Sequence, residues 1–251
     1  MKNFLLRIKK QLILGFSRRS GRNFFGRKTV FTQGGSKKYK RRLIDYKRII
    51  PFNFILLSIE KQLRNTAHVG LICYENGLFS YILLSDLHRI TNCLYNGFTN
   101  SFKVGSSSFL MNIPAGNFVH HVEQNPGCGA TLVRSAGASS FIISKDINSV
   151  FLKMNSGWLL KFSKLAVAIG GAASNSDHFI TRIKSAGMKR HLGFKPRVRG
   201  VAMNPRDHAH GGGEGRSSPP VAHKTPYGKL TKVPTNRSKM YRKKKRLFKI
   251  F

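Results

Sequence analysis

The chain has 251 residues, 41% of them hydrophobic, with 45 Lys and Arg against 9 Asp and Glu, a formal net charge of +36 and a sequence pI near 11.1. That hydrophobic share supports a packed core and excludes a chain disordered throughout, while the charge calls for a polyanionic partner. Three cysteines without CxxC spacing exclude a disulfide framework and a zinc knuckle and fit a reducing compartment, and the longest apolar run, IIPFNFILL at 49–57, falls short of the roughly 18 residues of a membrane-spanning helix, so no membrane partner is expected.

In chain order, residues 1–44 hold 14 Lys and Arg and no acidic residue. The opening MKNFLLRIKKQLILGFSRR (1–19) is basic, acid-free and amphipathic. Organelle transit peptides and RNA-contacting arms share that pattern, and both readings stand. Arg18, Arg19, Arg22, Arg27, Lys28, Lys37, Lys38, Lys40, Arg41 and Arg42 are expected to neutralise phosphates; the alternative is a solvated charged arm.

Residues 45–180 hold 11 basic against 7 acidic residues and most of the apolar side chains, so the globular body belongs there. In AHVGLICYENGLFSYILL (67–84) two β-prone runs flank Glu75-Asn76-Gly77, and Asn-Gly is the strongest short hairpin signal. The polar stretch 87–108 suits a connection between domains. From 117 to 162 short strands alternate with the turns NPGCG, KDIN and NSG, the spacing of a small barrel. The fold class is therefore mainly β: two small barrels at 40–105 and 106–176, between basic irregular extensions at 1–39 and 177–251. Ser176 or Asp177 is placed to cap a short helix ending near Gly187. Arg134 is expected on RNA, and Trp158 packed on the barrel or against a neighbouring protein.

Residues 181–251 hold 20 basic and 2 acidic residues, with Gly, Pro, Ser and Asn replacing apolar periodicity. Such arms bury too little apolar area to order alone and need a partner to fold against. Within them lies RGVAMNPRDHAHGGGEGR (199–216). It has neither the Gly-Lys-Ser/Thr end nor the preceding strand of a phosphate-binding Walker loop. Asp207, His208 and His210, with His191 or His223, are candidate zinc ligands but lack paired cysteines and helical spacing. Asp207 beside His208 has no nucleophile spaced to complete a catalytic set. The glycines are the better clue, because they let a backbone approach a phosphate or base where a side chain would collide. A metal-dependent hydrolase using Asp207, His208, His210 and Glu214, and a free nucleic-acid chaperone, are the rival readings.

This stretch resembles the signature of the large-subunit ribosomal protein "L-two" family. GRNFFGRKTVFTQGGSKKYKRRLIDYKR (21–48), NIPAGNFVHHVEQNPGCGATLVRSAG (112–137), HLGFKPRVRG (191–200) and KTPYGKLTK (224–232) are similar to further family motifs in the same order, so the resemblance covers about residues 20–240. It implies an OB-fold barrel followed by an SH3-like barrel, and extensions that run into large-subunit rRNA near the peptidyl transferase region. Implied partners are that rRNA, other ribosomal proteins and the small subunit across an intersubunit bridge. It implies no enzyme activity and no cofactor, beyond magnesium or potassium held by the rRNA itself. Charge and resemblance together mark Arg22, Arg27, Lys37, Lys38, Lys40, Arg41, Arg42, Lys47, Arg48 and Arg134 as RNA contacts. Lys189, Arg190, Arg197 and Arg199 follow, then Asn204, Arg206, His208, His210, Gly211, Gly212, Gly213 and Arg216, and finally Lys224, Lys229 and Arg237. The chain departs from the family pattern at Gly34-Gly35, where three glycines are usual, at Gln33 for histidine, at Cys128, which no lysine flanks, and at Tyr227, often tryptophan. The Asn-, Phe-, Ile- and Lys-rich composition points to an organelle, mitochondrion first and plastid second.

Overall fold

A computed structural model describes residues 2–15, 19–36, 38–48, 50–62, 65–91, 93–96, 103–215 and 222–231. The chain divides into two compact units: one of residues 1–19 and 35–193, the other joining residues 20–34 to the chain from Phe194 on.

The first unit opens with helix α1 (Lys2–Gln11), then strand β1 (Ile13–Gly15), which pairs antiparallel with β2 (Lys40–Arg42). Strands β3 (Asn53–Glu60), β4 (Val69–Tyr74), β5 (Phe79–Leu83) and β6 (Cys93–Tyr95) form an antiparallel sheet in the order β5-β4-β3-β6. The expected hairpin joins β4 to β5: Gly77 sits at φ +79 and donates its N–H to Tyr74 O at 2.9 Å, the left-handed geometry that Asn-Gly provides. Strand β4 is buried on both faces, which explains its unbroken apolar run. One face packs with Phe54, Leu56, Ile82 and Leu94; the other packs Val69 and Leu71 with Tyr81 and Leu83.

Helix α1 is part of this second cluster. Leu5 and Leu12 pack against it, and Phe4 meets Phe79 edge to face at 6.1 Å. Lys9 Nζ lies 2.7 Å from Glu60 Oε1, while Arg42 Nε donates to Glu60 Oε2 at 2.6 Å. Burial alone would raise the Glu60 carboxyl, but the two cations outweigh it and hold it below its ordinary value. The described part of the opening segment therefore packs onto the first barrel.

The second barrel has β7 (Ser107–Phe109), β8 (Phe118–His120), β9 (Val122–Glu123), β10 (Ala130–Leu132), β11 (Ser140–Lys145), β12 (Ser149–Lys153), β13 (Leu159–Ser163) and β14 (Val167–Gly170). Six of these form one sheet in the order β13-β12-β11-β8-β14-β7, and β9 pairs with β10. Its core is Leu110, Ile113, Val119, Val122, Ile142, Val150, Leu152 and Phe162 with small alanines. Buried Glu123 accepts N–H bonds from Gly127, Gly129 and Val167, at 3.2, 2.9 and 3.1 Å, and so fixes the NPGCG turn.

The helix expected after Ser176 is split. A 3-10 turn spans Ser176–Ile180 behind Asn175 at φ 65, extended backbone follows, and α2 (Ala186–His191) begins at Ser185, whose Oγ accepts from Met188 N at 3.3 Å. Gly187 thus lies inside α2 instead of ending the helix. In the second unit Gln33 bridges Phe194, and Lys195 N donates to Thr32 O at 2.7 Å. Among the described residues after Phe194, regular structure is confined to the 3-10 turn Gly200–Ala202 and an isolated bridge between Lys224 and Leu230, as the glycine and proline content predicts. No helix among the described residues is long and apolar enough to cross a membrane.

Candidate nucleic-acid interface

The glycine-rich stretch is a tightly closed loop. Asn204 O accepts from Asp207 N and His208 N at 3.0 and 3.3 Å, Gly211 N donates to His208 O at 2.9 Å, and Gly212 N reaches Met203 O at 3.1 Å. Three glycines are required by these close approaches. A Cβ at Gly200 would lie 2.5 Å from the His208 ring, at Gly211 2.3 Å from Asn204 O, and at Gly212, which has φ +83, 2.6 Å from Pro205 Cγ. Glycine therefore serves the loop's own closure before it serves any ligand.

The histidines face inward. His208 is 9% exposed, and its Nδ1 accepts from His210 N at 3.0 Å; His210 Nε2 accepts from Lys224 N at 2.8 Å. The His208 and His210 rings stack at 5.2 Å. One ring nitrogen of each is therefore committed within the protein, and the other nitrogen of each ring is what remains for an RNA contact. Asp207 and Glu214 are exposed, and among the described residues no group of three or more His, Cys, Asp or Glu could hold a metal ion. What the loop presents outward is Arg199, Asn204, Arg206, Gly212 and Gly213, with Arg197 before it and Lys229 after; Gly211 and Lys224 are half-buried.

On the first unit, Lys38, Lys40, Arg41, Lys47, Arg134, Lys189 and Arg190 are exposed; in the second, so are Arg22, Arg27 and Lys28. The Arg134 guanidinium sits 5.0 Å from the Tyr46 ring centroid, a stacked position that limits its freedom. Two further expected contacts are engaged within the protein. Arg42 is engaged by Glu60 and donates to Lys61 O at 3.3 Å. Arg48 is 6% exposed, with its guanidinium bonded to Asn96 Oδ1 at 3.2 Å and Leu83 O at 3.5 Å, out of reach of an external phosphate. Burial lowers it to about 10. Lys37, Arg216 and Arg237, with Arg18, lie outside the described residues.

Sequence reading missed the neighbours of Arg48. Ser85 Oγ meets His120 Nε2 at 2.7 Å, the His120 and His121 Nδ1 atoms are in contact, and Ser85 N donates to His88 Nδ1 at 2.8 Å. All three rings are buried, and burial holds each well below the ordinary value: His88 to about 4, His121 to about 3, His120 also far down. This polar seam joins the two barrels, with Asn96 bridging Ser107 and Ser85 bridging Ala173. The signal in sequence was the paired histidine in NFVHHVE, where His120 ends β8 and His121 lies between β8 and β9.

Comparison with known proteins bears directly on this surface. Residues 9–95 match the family described as "Ribosomal Proteins L2, RNA binding N-terminal domain", and residues 103–228 match "Ribosomal Proteins L2, C-terminal domain". The chain belongs to the ribosomal protein L2 family. It is similar to the large ribosomal subunit protein uL2 of Mycoplasmoides gallisepticum, 43% identical over 228 residues that cover 88% of this chain and 80% of that protein. It is also similar to the uL2 protein of Bartonella tribocorum, 40% identical over 232 residues covering 91% and 83%. The two L2 domains correspond to the two barrels, an OB-fold followed by an SH3-like barrel. The C-terminal match runs on through the glycine-rich loop to Gly228.

Proposed function

We propose that this L2-family chain is a structural constituent of a large ribosomal subunit that binds large-subunit rRNA, supports subunit assembly and subunit association, and catalyses no reaction. The observation that carries this reading is the arrangement of the loop 199–215 inside an L2 match that runs from residue 9 to 228. Its arginines face outward while its histidines are bonded inward, which suits a shaped, positively charged RNA contact and leaves no free general base paired with a nucleophile. Partners are rRNA, neighbouring ribosomal proteins and the small subunit, with the loop near the peptidyl transferase region and metal ions supplied by the RNA. The Asn-, Phe-, Ile- and Lys-rich composition favours a mitochondrial ribosome, with a plastid as the alternative.

The test is sedimentation of epitope-tagged protein from fractionated cells through a sucrose gradient. The tag should run with the large subunit and with translating ribosomes in the organelle fraction. A tag that stays near the top of the gradient would sink the reading in favour of a free nucleic-acid chaperone. A tag in cytosolic ribosomes would remove the organelle assignment alone.

A further inference from the structure

Residues 21–30 build a hairpin whose tip is apolar. Gly26 N donates to Asn23 O at 3.1 Å, Asn23 N to Arg27 O at 2.8 Å, and Arg27 N to Asn23 Oδ1 at 2.9 Å, with Gly26 at φ +76. Below the turn Arg22 pairs with Lys28, and the N–H groups of Thr29 and Val30 converge on Gly21 O at 2.9 and 3.0 Å. A turn tied this way holds its two central residues outward. Phe24 and Phe25 are each 83% exposed, their centroids 5.7 Å apart and their planes at 84°. Adjacent rings held in water by a rigid turn mark a place where something else covers them.

We propose that Phe24 and Phe25 form a stacking platform for an unpaired RNA base. Charge complementarity selects the occupant: Arg22, Arg27 and Lys28 are exposed beside the rings, and residues 1–44 contain no acidic residue. An RNA strand satisfies both features at once, offering base faces to the rings and phosphates to the cations. In a duplex the base faces are already stacked on one another, so the ligand is a base in a loop, bulge or single strand. The perpendicular rings give that base one flat face and one closing edge. This inference rests on the rRNA-binding reading and narrows it to two residues and to one form of RNA.

The experiment uses the full chain and two labelled probes, a short unstructured RNA strand of mixed sequence and a blunt RNA duplex of equal length, titrated at several salt concentrations. Phe24→Ser with Phe25→Ser should weaken binding to the strand by about tenfold or more. Duplex affinity and the slope of log affinity against log salt should not change, and Phe24→Trp with Phe25→Trp should restore strand binding. No loss, or equal loss on both probes, overturns the proposal. Unchanged binding to both probes with poorer incorporation into large subunits also overturns it and assigns the tip to a protein neighbour. If the unaltered chain binds neither probe, the rRNA-binding reading itself fails.

Discussion

At the scale of single residues, the buried histidines make stability depend on pH in a direction that the burial fixes. His88 and His121 are held at about 4 and about 3 because burial disfavours the charged ring and Arg48 adds repulsion, while unfolded histidine titrates near 6.5. The unfolded chain therefore binds more protons below 6.5, so the stabilisation is complete above that pH and is lost as pH falls from 6.5 towards 4. Between pH 7.5 and 5.5 each buried histidine should cost about 1 kcal/mol. Thermal unfolding of the isolated chain should show a midpoint that drops across this interval. His121 sits at φ 52, a conformation that asparagine tolerates, so His121→Asn should hold the midpoint at pH 7.5 and flatten the drop by roughly a third. An unaltered pH profile in that variant would show that His121 does not contribute to the drop. The glycine-rich loop yields a second residue-scale expectation. Gly212→Val meets Pro205 at a positive φ, and His208→Ala empties the contact with Gly200 and the bond to His210. Both should impair assembly into large subunits, the glycine change more, while His208→Ala ribosomes that do assemble should form peptide bonds at the normal single-turnover rate. A large chemical defect with intact assembly would establish a catalytic His208.

At the scale of elements, what was legible and what was not separate by the range of the interactions involved. The β4–β5 hairpin could be read because Asn76-Gly77 and the flanking apolar runs are local, and the turns of the second barrel could be read for the same reason. The fate of α1 could not, because its amphipathic stripe is equally suited to a transit peptide, an RNA or a protein face; only the fold shows Leu5 and Leu12 against Val69, Leu71 and Tyr81. The split before α2 turns on Ser185, a better-placed cap than Ser176 or Asp177, which sequence alone did not distinguish. If α1 is a working part of the barrel, Leu5→Ala with Leu12→Ala should lower stability by about 1–2 kcal/mol per site, less than a fully buried leucine would cost, since both are half-buried. Lys9→Met should cost less than about 1 kcal/mol, because the Glu60 pair is partly exposed and Arg42 remains. Urea unfolding measures both; a leucine pair without effect would mean that the helix is not packed in solution.

At the scale of the whole molecule, +36 charges were obvious in the sequence, but which of them face a polyanion was not. Counting arginines treats Arg48 and Arg206 as equals, since both lie in stretches that resemble the L2 family. The structure separates them: Arg48 is enclosed and bonded to Asn96 and Leu83, whereas Arg206 stands exposed on the closed loop. Their substitutions should therefore fail in opposite ways. Each phosphate neutralised by an exposed arginine releases condensed counterions, so Arg206→Gln should lower RNA affinity at low salt and reduce the slope of log affinity against log salt by about one, with stability unchanged. Arg48→Gln removes a buried charge and its hydrogen bonds to Leu83 O and to Asn96 Oδ1, which retains the Ser107 hydroxyl as a donor, so it should destabilise the fold by about 2 kcal/mol or more and leave the salt slope of the folded fraction as it was. Salt-series binding and urea unfolding on both variants decide the matter. A changed slope for Arg48→Gln at full stability would place that guanidinium on the RNA.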